Sequence, residues 1–278
     1  MPTTPAPSRF GTTFTWGFFA AVAYLVTVFA MWSIMGMRYD HITDSVDTIR
    51  DYYAIPTLVG SAVLVAILAW RGLLKPALRD PYVIGPKWLW IFPILGIVIP
   101  LLIALAGVPQ YASASLLIWL ALGALGVGLG EELAIRGALL IAIRDKYNEA
   151  IVFVVTTVAF SLMHAPNFLF KDDQVFGFSQ LQSTLLAGCA YYLIRRATGS
   201  LWWAVAAHGL WDSCGMYMVY TAQAAGGEFD GNNLFLQIGG IGSEVLMKYV
   251  AAVVAVVLAV RSRHLFIRPV PADKSHDS

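Results

Sequence analysis

Eight apolar stretches follow one another along this chain, at about 14–35, 54–70, 88–107, 112–143, 149–165, 176–194, 200–220 and 245–260. Most come close to the roughly 20 residues that a helix needs to cross the hydrocarbon of a bilayer. No other feature restricts the fold as tightly, because in lipid only helices and closed barrels satisfy their own backbone. Composition agrees: 58% of the 278 residues are hydrophobic and 13% charged, against about 25% charged in an ordinary soluble globule. The expectation is an all-α polytopic membrane protein, a bundle of about eight transmembrane helices.

The chain divides into a Pro/Thr/Ser-rich tail read as disordered (1–13), a transmembrane domain (14–262) and a cytoplasmic, basic then polar tail (263–278). The first apolar run is too long for a signal-peptide core and reads as a first span. No long polar block makes a second domain, and no internal repeat stands out. A net charge of +1 offers no face for nucleic acid. Cys189 and Cys214 lie in apolar segments and read as small buried hydrophobes.

Lys and Arg set the orientation, since they accumulate on the cytoplasmic side. With the N-terminus inside, the inner segments hold thirteen: Arg9; Arg71, Lys75, Arg79 and Lys87; Arg144 and Lys146; Arg195 and Arg196; Arg261, Arg263, Arg268 and Lys274. The outer segments hold three, Arg38, Arg50 and Lys171. Arg136 and Lys248 fall within spans. The expected location is a plasma membrane, with multiple passes and both termini in the cytoplasm.

Against this background the stretch "GVGLGEELAIRGALL" stands out, because it sets Glu131, Glu132 and Arg136 inside a membrane span. At about 1.5 Å per residue, Glu131 sits about 20 Å from the inner end near Arg144. By the same rise His164 of the fifth span lies about 24 Å up, and His208 and Asp212 of the seventh about 12 and 18 Å up. Three helices thus bring ionisable groups to overlapping depths. Glu132 and Arg136 are spaced i,i+4 and should pair. Glu131 points about 100° away and is left to face a cavity. His208 and Asp212 share the same spacing, as do Phe160 and His164, which gives the latter an aromatic wall. Gly126 and Gly130 would admit a neighbouring helix closely. Gln180, Gln182, Ser183 and Thr184 suit the lining of a wet cavity.

Each feature has a plainer reading. Glu132 and Arg136 read best as a structural ion pair, and a lone membrane histidine often only bonds between helices. Yet an intramembrane charge costs about 2.5 to 3.5 kcal/mol on insertion scales, and four such groups converging without a function would spend stability for nothing. A carboxylate, two histidines and an acid at the bottom of a cavity suit peptide-bond hydrolysis. That reaction needs a base for water, donors for the oxyanion and an acid for the leaving amine. The chain has no G-x-S-x-G, and it has no H-E-x-x-H of the zincin type. Direct attack by water fits best.

The set "EELAIRG", "FSLMH" and "HGLWD" resembles the CAAX protease and bacteriocin-processing family of intramembrane proteases, also called the ABI or type II CAAX prenyl endopeptidase family. The three motifs are weak singly and specific together, and they cover residues 131 to 212. The resemblance implies an eight-helix core with its site in a cavity open towards the cytoplasm. It implies that Glu131 and His164 activate water, that His208 and Asp212 stabilise the oxyanion, and that Glu132 and Arg136 support the site. Two positions depart from the family pattern. Ile135 stands where bacterial members often have an aromatic residue, and Asp212 where asparagine is common. A carboxylate donates no hydrogen bond unless protonated, so a role for Asp212 in orienting His208 fits better. The family is commonly described as metalloproteases, and Glu131, His164, His208 and Asp212 could supply ligands to one zinc ion. The same residues can also work without metal, and their spacing leaves both open. The expected partners are the bilayer and a peptide or membrane-protein substrate, prenylated or not. The rival readings are a midplane transporter or proton relay and a non-catalytic membrane scaffold that kept the family's residues.

Overall fold

The computed structural model describes residues 10–80, 82–84, 86–144, 146–170, 174–226, 247–261 and 267–269. Residues 1–9 and most of the expected C-terminal tail lie outside these. All eight apolar stretches contain helix: α1 (Phe10–Met35), α2 (Val46–Trp70), α3 (Lys87–Ala104), α4 (Ala114–Arg144), α5 (Glu149–Phe170), α6 (Gln174–Thr198), α7 (Leu201–Ala224) and α8 (Ala251–Arg261). Among the described residues, α1 to α5 are the five that are long and apolar enough to cross a membrane. Helices α6 and α7 have the length, 25 and 24 residues, but carry the polar side chains that the site uses. The fold is an all-α polytopic membrane bundle. A short antiparallel pair, Tyr82–Ile84 against Ile267–Pro269, ties part of the C-terminal segment to the loop before α3.

Local chemistry explains where the helices begin and end. The Leu116 amide donates to Ser113 Oγ (3.1 Å) ahead of α4, and the Ile151 amide to Asn148 Oδ1 (3.1 Å) ahead of α5. These caps satisfy amides that a helix start leaves open. Gly36, Gly72 and Gly199 follow α1, α2 and α6 with φ of 64°, 67° and 65°, the left-handed stop that glycine tolerates. Helix α2 starts eight residues before the apolar stretch that announced it. Ser45 and Thr48 form a capping box, and Arg50 bonds Asp47 and Asp51, each at 2.7 Å, so a charged first turn is still helical.

Helix α4 is central, and glycine lets its neighbours in. A side chain at Gly128 would strike the backbone carbonyl of Val205 on α7, and one at Gly209 of α7 would strike that of Ala124 on α4. Neither backbone can give way. On another face, Gly126 and Gly130 abut Thr57 and Ser61 of α2, and Ser61 Oγ donates to the Gly126 carbonyl at 2.6 Å. The expected close approach at this G-x-x-x-G is therefore present.

At the Lys/Arg-rich helix ends the bundle is closed by a buried ion network. Asp80 accepts from both Arg144 and Arg196, and Glu149 accepts from Arg144 (2.9 and 2.7 Å) and from the Tyr192 hydroxyl (2.7 Å). Arg195 is spent on the carbonyls of Ala77 and Leu78, both at 2.8 Å. Burial pushes the Asp80 carboxyl up, but Arg196 and Arg144 beside it outweigh that and hold it below the usual aspartate range. Exposed Trp70, Trp88, Trp90, Trp202 and Trp203 ring the same end, as aromatic residues do at a membrane–water interface.

Candidate active site

From the middle of the bundle a cavity of about 570 Å³ extends to the opposite helix ends. Glu131, Phe160, Tyr191 and His208 line its deep part; Tyr39, Ile42, Tyr52, Asn167 and Met216 line the part nearer those ends. The polar patch expected on α6 is there, since Gln180, Gln182, Ser183 and Thr184 all face the cavity. Gln180 is itself held in place: its amide donates to the Tyr39 hydroxyl (2.9 Å) and accepts from Asn167 (3.3 Å).

The structure brings all seven motif residues together. Glu131 comes from α4, His164 from α5, and His208 and Asp212 from α7. Both imidazoles aim Nε2 at one atom, Glu131 Oε2, at 3.5 Å from His164 and 3.8 Å from His208. That oxygen is buried and accepts no hydrogen bond. The opposite ring nitrogens are committed. His164 Nδ1 lies 2.8 Å from the Phe160 carbonyl, and His208 Nδ1 lies 3.0 Å from Glu132 Oε1. A carbonyl and a carboxylate can only accept, so each Nδ1 carries the proton, a tautomer assigned by its partner. When neutral, both rings therefore turn an Nε2 lone pair towards Glu131.

Glu132 holds a double position. Its Oε1 accepts from Arg136 at 3.1 Å as well as facing His208, and both Glu132 and Arg136 are fully buried. Arg136 also donates to the Gly188 carbonyl (3.1 Å) and stacks its guanidinium 3.9 Å from the centre of the Phe160 ring. Phe160 in turn meets His164 and His208 edge-on, at 5.2 and 5.5 Å between ring centres. The pairing of Glu132 with Arg136 is as expected, and so is the aromatic wall.

His208 makes its hydrogen bond to Glu132, and Asp212 makes none to it. Asp212 Oδ2 lies 3.8 Å from His208 Nε2, beyond hydrogen-bond reach, and its side chain is 30% exposed. A carboxylate one turn away on the same helix loses to one that approaches from a packed neighbour. The zinc reading also finds no support. Among the described residues no group of three or more His, Cys, Asp and Glu is disposed to hold a metal ion. The direction of the cavity conflicts with another pair of expectations. A cytoplasmic N-terminus and a cytoplasmic cavity cannot both hold, because the cavity extends away from the Lys/Arg-rich ends.

Tyr191 was not anticipated. It stacks on His208 with ring centres 4.8 Å apart and planes 18° from parallel. The signal was available: Gln180, Thr184, Ala187 and Tyr191 recur at helical spacing on one face of α6.

A polar cluster sunk within a helical bundle, at the head of a cavity that reaches one membrane face, defines a membrane protein with an intramembrane site. Residues 112–214 match the family model described as Type II CAAX prenyl endopeptidase Rce1-like, and that stretch contains every one of the seven motif residues. The resemblance read from the motifs thus holds. The match covers less than half of the chain and makes this stretch similar to endopeptidases of the CAAX type. Comparison with curated proteins and with solved structures gives no match.

Proposed function

We propose that this chain is an intramembrane endopeptidase in which Glu131 and the two histidines activate a water molecule for direct attack on a peptide carbonyl. The convergence of His164 Nε2 and His208 Nε2 on the unbonded Glu131 Oε2, from three separate helices, carries this reading.

Water held against Glu131 and the Nε2 lone pair of His164 gives one proton to the carboxylate as its oxygen bonds to the carbonyl carbon. The carbonyl oxygen becomes an alkoxide. His208 is the group placed to stabilise it. With Nδ1–H turned to Glu132 Oε1, this ring donates from Nε2 only as the imidazolium. When the tetrahedral intermediate collapses, the C–N bond breaks and the protonated Glu131 returns its proton to the leaving amine. Asp212 adds negative charge near His208 without donating to the oxyanion. Positioned acid–base groups of this kind contribute roughly 10²- to 10⁴-fold. A plasma-membrane location with both termini in the cytoplasm belongs to the same reading.

The test uses purified protein in vesicles and a fluorogenic peptide library. Wild type should cleave, and Glu131→Gln should lose at least about 100-fold while melting at the wild-type temperature. Undiminished cleavage by Glu131→Gln would end the proposal.

A further inference from the structure

We propose that Tyr24, on α1 and outside the stretch that matches the family model, is a further catalytic residue, donating its phenolic hydrogen bond to the alkoxide formed beside Glu131. The role rests on the proteolytic reading.

The tyrosines that line the cavity differ in what their hydroxyls do. Tyr39 accepts from the Gln180 amide (2.9 Å), and Tyr53 shares a hydrogen bond with Ser213 Oγ (3.0 Å). The Tyr24 side chain is buried, and its hydroxyl has no hydrogen-bond partner among the described residues. Its oxygen is nevertheless not sealed off, and the open space beside it is the cavity. Tyr191 also has an unengaged hydroxyl, but its ring lies nearly parallel to the His208 ring, 18° from it. That stacking keeps the hydroxyl out of the plane in which His208 Nε2 meets an oxyanion.

Packing accounts for the ring of Tyr24 but not for its oxygen. Two glycines clear the slot that holds it. A Cβ at Gly60 of α2 would come within 2.9 Å of Tyr24 Cδ2, and one at Gly130 of α4 within 2.6 Å of Cζ. Cζ carries the hydroxyl, and Gly130 immediately precedes Glu131. Phenylalanine would fill the same slot, and a buried hydroxyl without a partner is disfavoured. The oxygen therefore serves something that enters the cavity.

The reaction supplies that acceptor. An alkoxide is stabilised by donors already in place where its charge develops. His208 donates from Nε2 only as the imidazolium, and Asp212 as a carboxylate does not donate at all. A phenol, with a pKa of about 10 in water, is a donor that needs no added proton. The imidazoles reach Glu131 from α5 and α7, and Tyr24 approaches from α1. No proton leaves Tyr24: its hydrogen bond tightens as the carbonyl π pair moves onto oxygen and slackens when the C–N bond breaks.

The test compares full-length wild type, Glu131→Gln and Tyr24→Phe in vesicles, on a peptide that wild type cleaves. Tyr24→Phe should lower kcat roughly 100-fold with KM little changed, and should melt at or above the wild-type temperature. A peptide phosphinate, tetrahedral and anionic like the intermediate, should bind the variant about 100-fold more weakly than wild type. A kcat loss of less than about tenfold, or unchanged phosphinate affinity, would overturn the proposal and leave the proteolytic reading standing. So would a variant that melts well below wild type, because the hydroxyl would then have a structural partner. A wild type that cleaves no peptide, with Glu131→Gln indistinguishable from it, would remove the proteolytic reading and the role of Tyr24 with it.

Discussion

Two polar clusters lie within the bundle, one buried and one lining the cavity, and they are built on opposite principles. At the sealed end every carboxylate is saturated: Asp80 serves two guanidinium groups, and Glu149 takes three hydrogen bonds between 2.7 and 2.9 Å. In the cavity, Glu131, His164, His208 and Asp212 approach one another at 3.5 to 3.8 Å and do not close. Saturation makes a rigid brace, because a satisfied buried charge has nothing left to offer a newcomer. Groups that converge and stop short leave room for a reactant between them. A buried ion pair alone is therefore no sign of chemistry in this molecule; an unclosed one is.

The contrast can be broken most forcefully at the brace. Asp80→Ala strands Arg196 and Arg144, and removing one partner of a buried pair costs about 3 to 5 kcal/mol. Thermal melts should show that loss, while cleavage per folded molecule stays at the wild-type level. A large drop in specific activity with unchanged melting would reverse the assignment. The brace should also respond to acid. Its depressed carboxylate contributes stability that is fully present above the ordinary aspartate value of 3.8 and is lost as pH falls through the lower value of the folded state.

Glu132→Gln cuts across both regions, because this residue holds Arg136 and His208 at once. It should cost about 1 to 3 kcal/mol in stability and also lower kcat about tenfold, with KM little changed. A purely structural role would move the melt and leave kcat alone. The smallest effect belongs to Asp212→Asn. With no hydrogen bond to His208 to lose, the variant should melt as wild type and keep activity within about tenfold, or about 1.4 kcal/mol of barrier. Complete inactivation would restore Asp212 to a direct part in the reaction.

The helices and the site differed in how legible they were. Long apolar stretches disclose spans because the bilayer admits few alternatives, and the i,i+4 spacing of Glu132 with Arg136 disclosed their pairing. The charged start of α2 escaped the hydropathy pattern because Asp47, Arg50 and Asp51 neutralise one another locally. The link from Glu132 to His208 joins residues 76 apart. It depends on how closely α4 and α7 pack at Gly128 and Gly209, which spacing along either helix does not reveal. Arg144, Arg195 and Arg196 were legible as markers of sidedness but not as a network, since their acid Asp80 sits in an unremarkable loop.

The one-sidedness of the cavity has an electrical consequence. A polar well that admits water as far as Glu131 carries the potential of its own bulk phase down to that depth. The transmembrane voltage then falls almost wholly across the layer between Glu131 and the Asp80–Arg196 brace. Moving one elementary charge through 100 mV is worth about 2.3 kcal/mol, but a proton exchanged between Glu131 and the well crosses little of that field. Hydrolysis that takes and returns its protons on this side runs at the same rate in an energised membrane as in a collapsed one, whereas a relay delivering them through the brace would not.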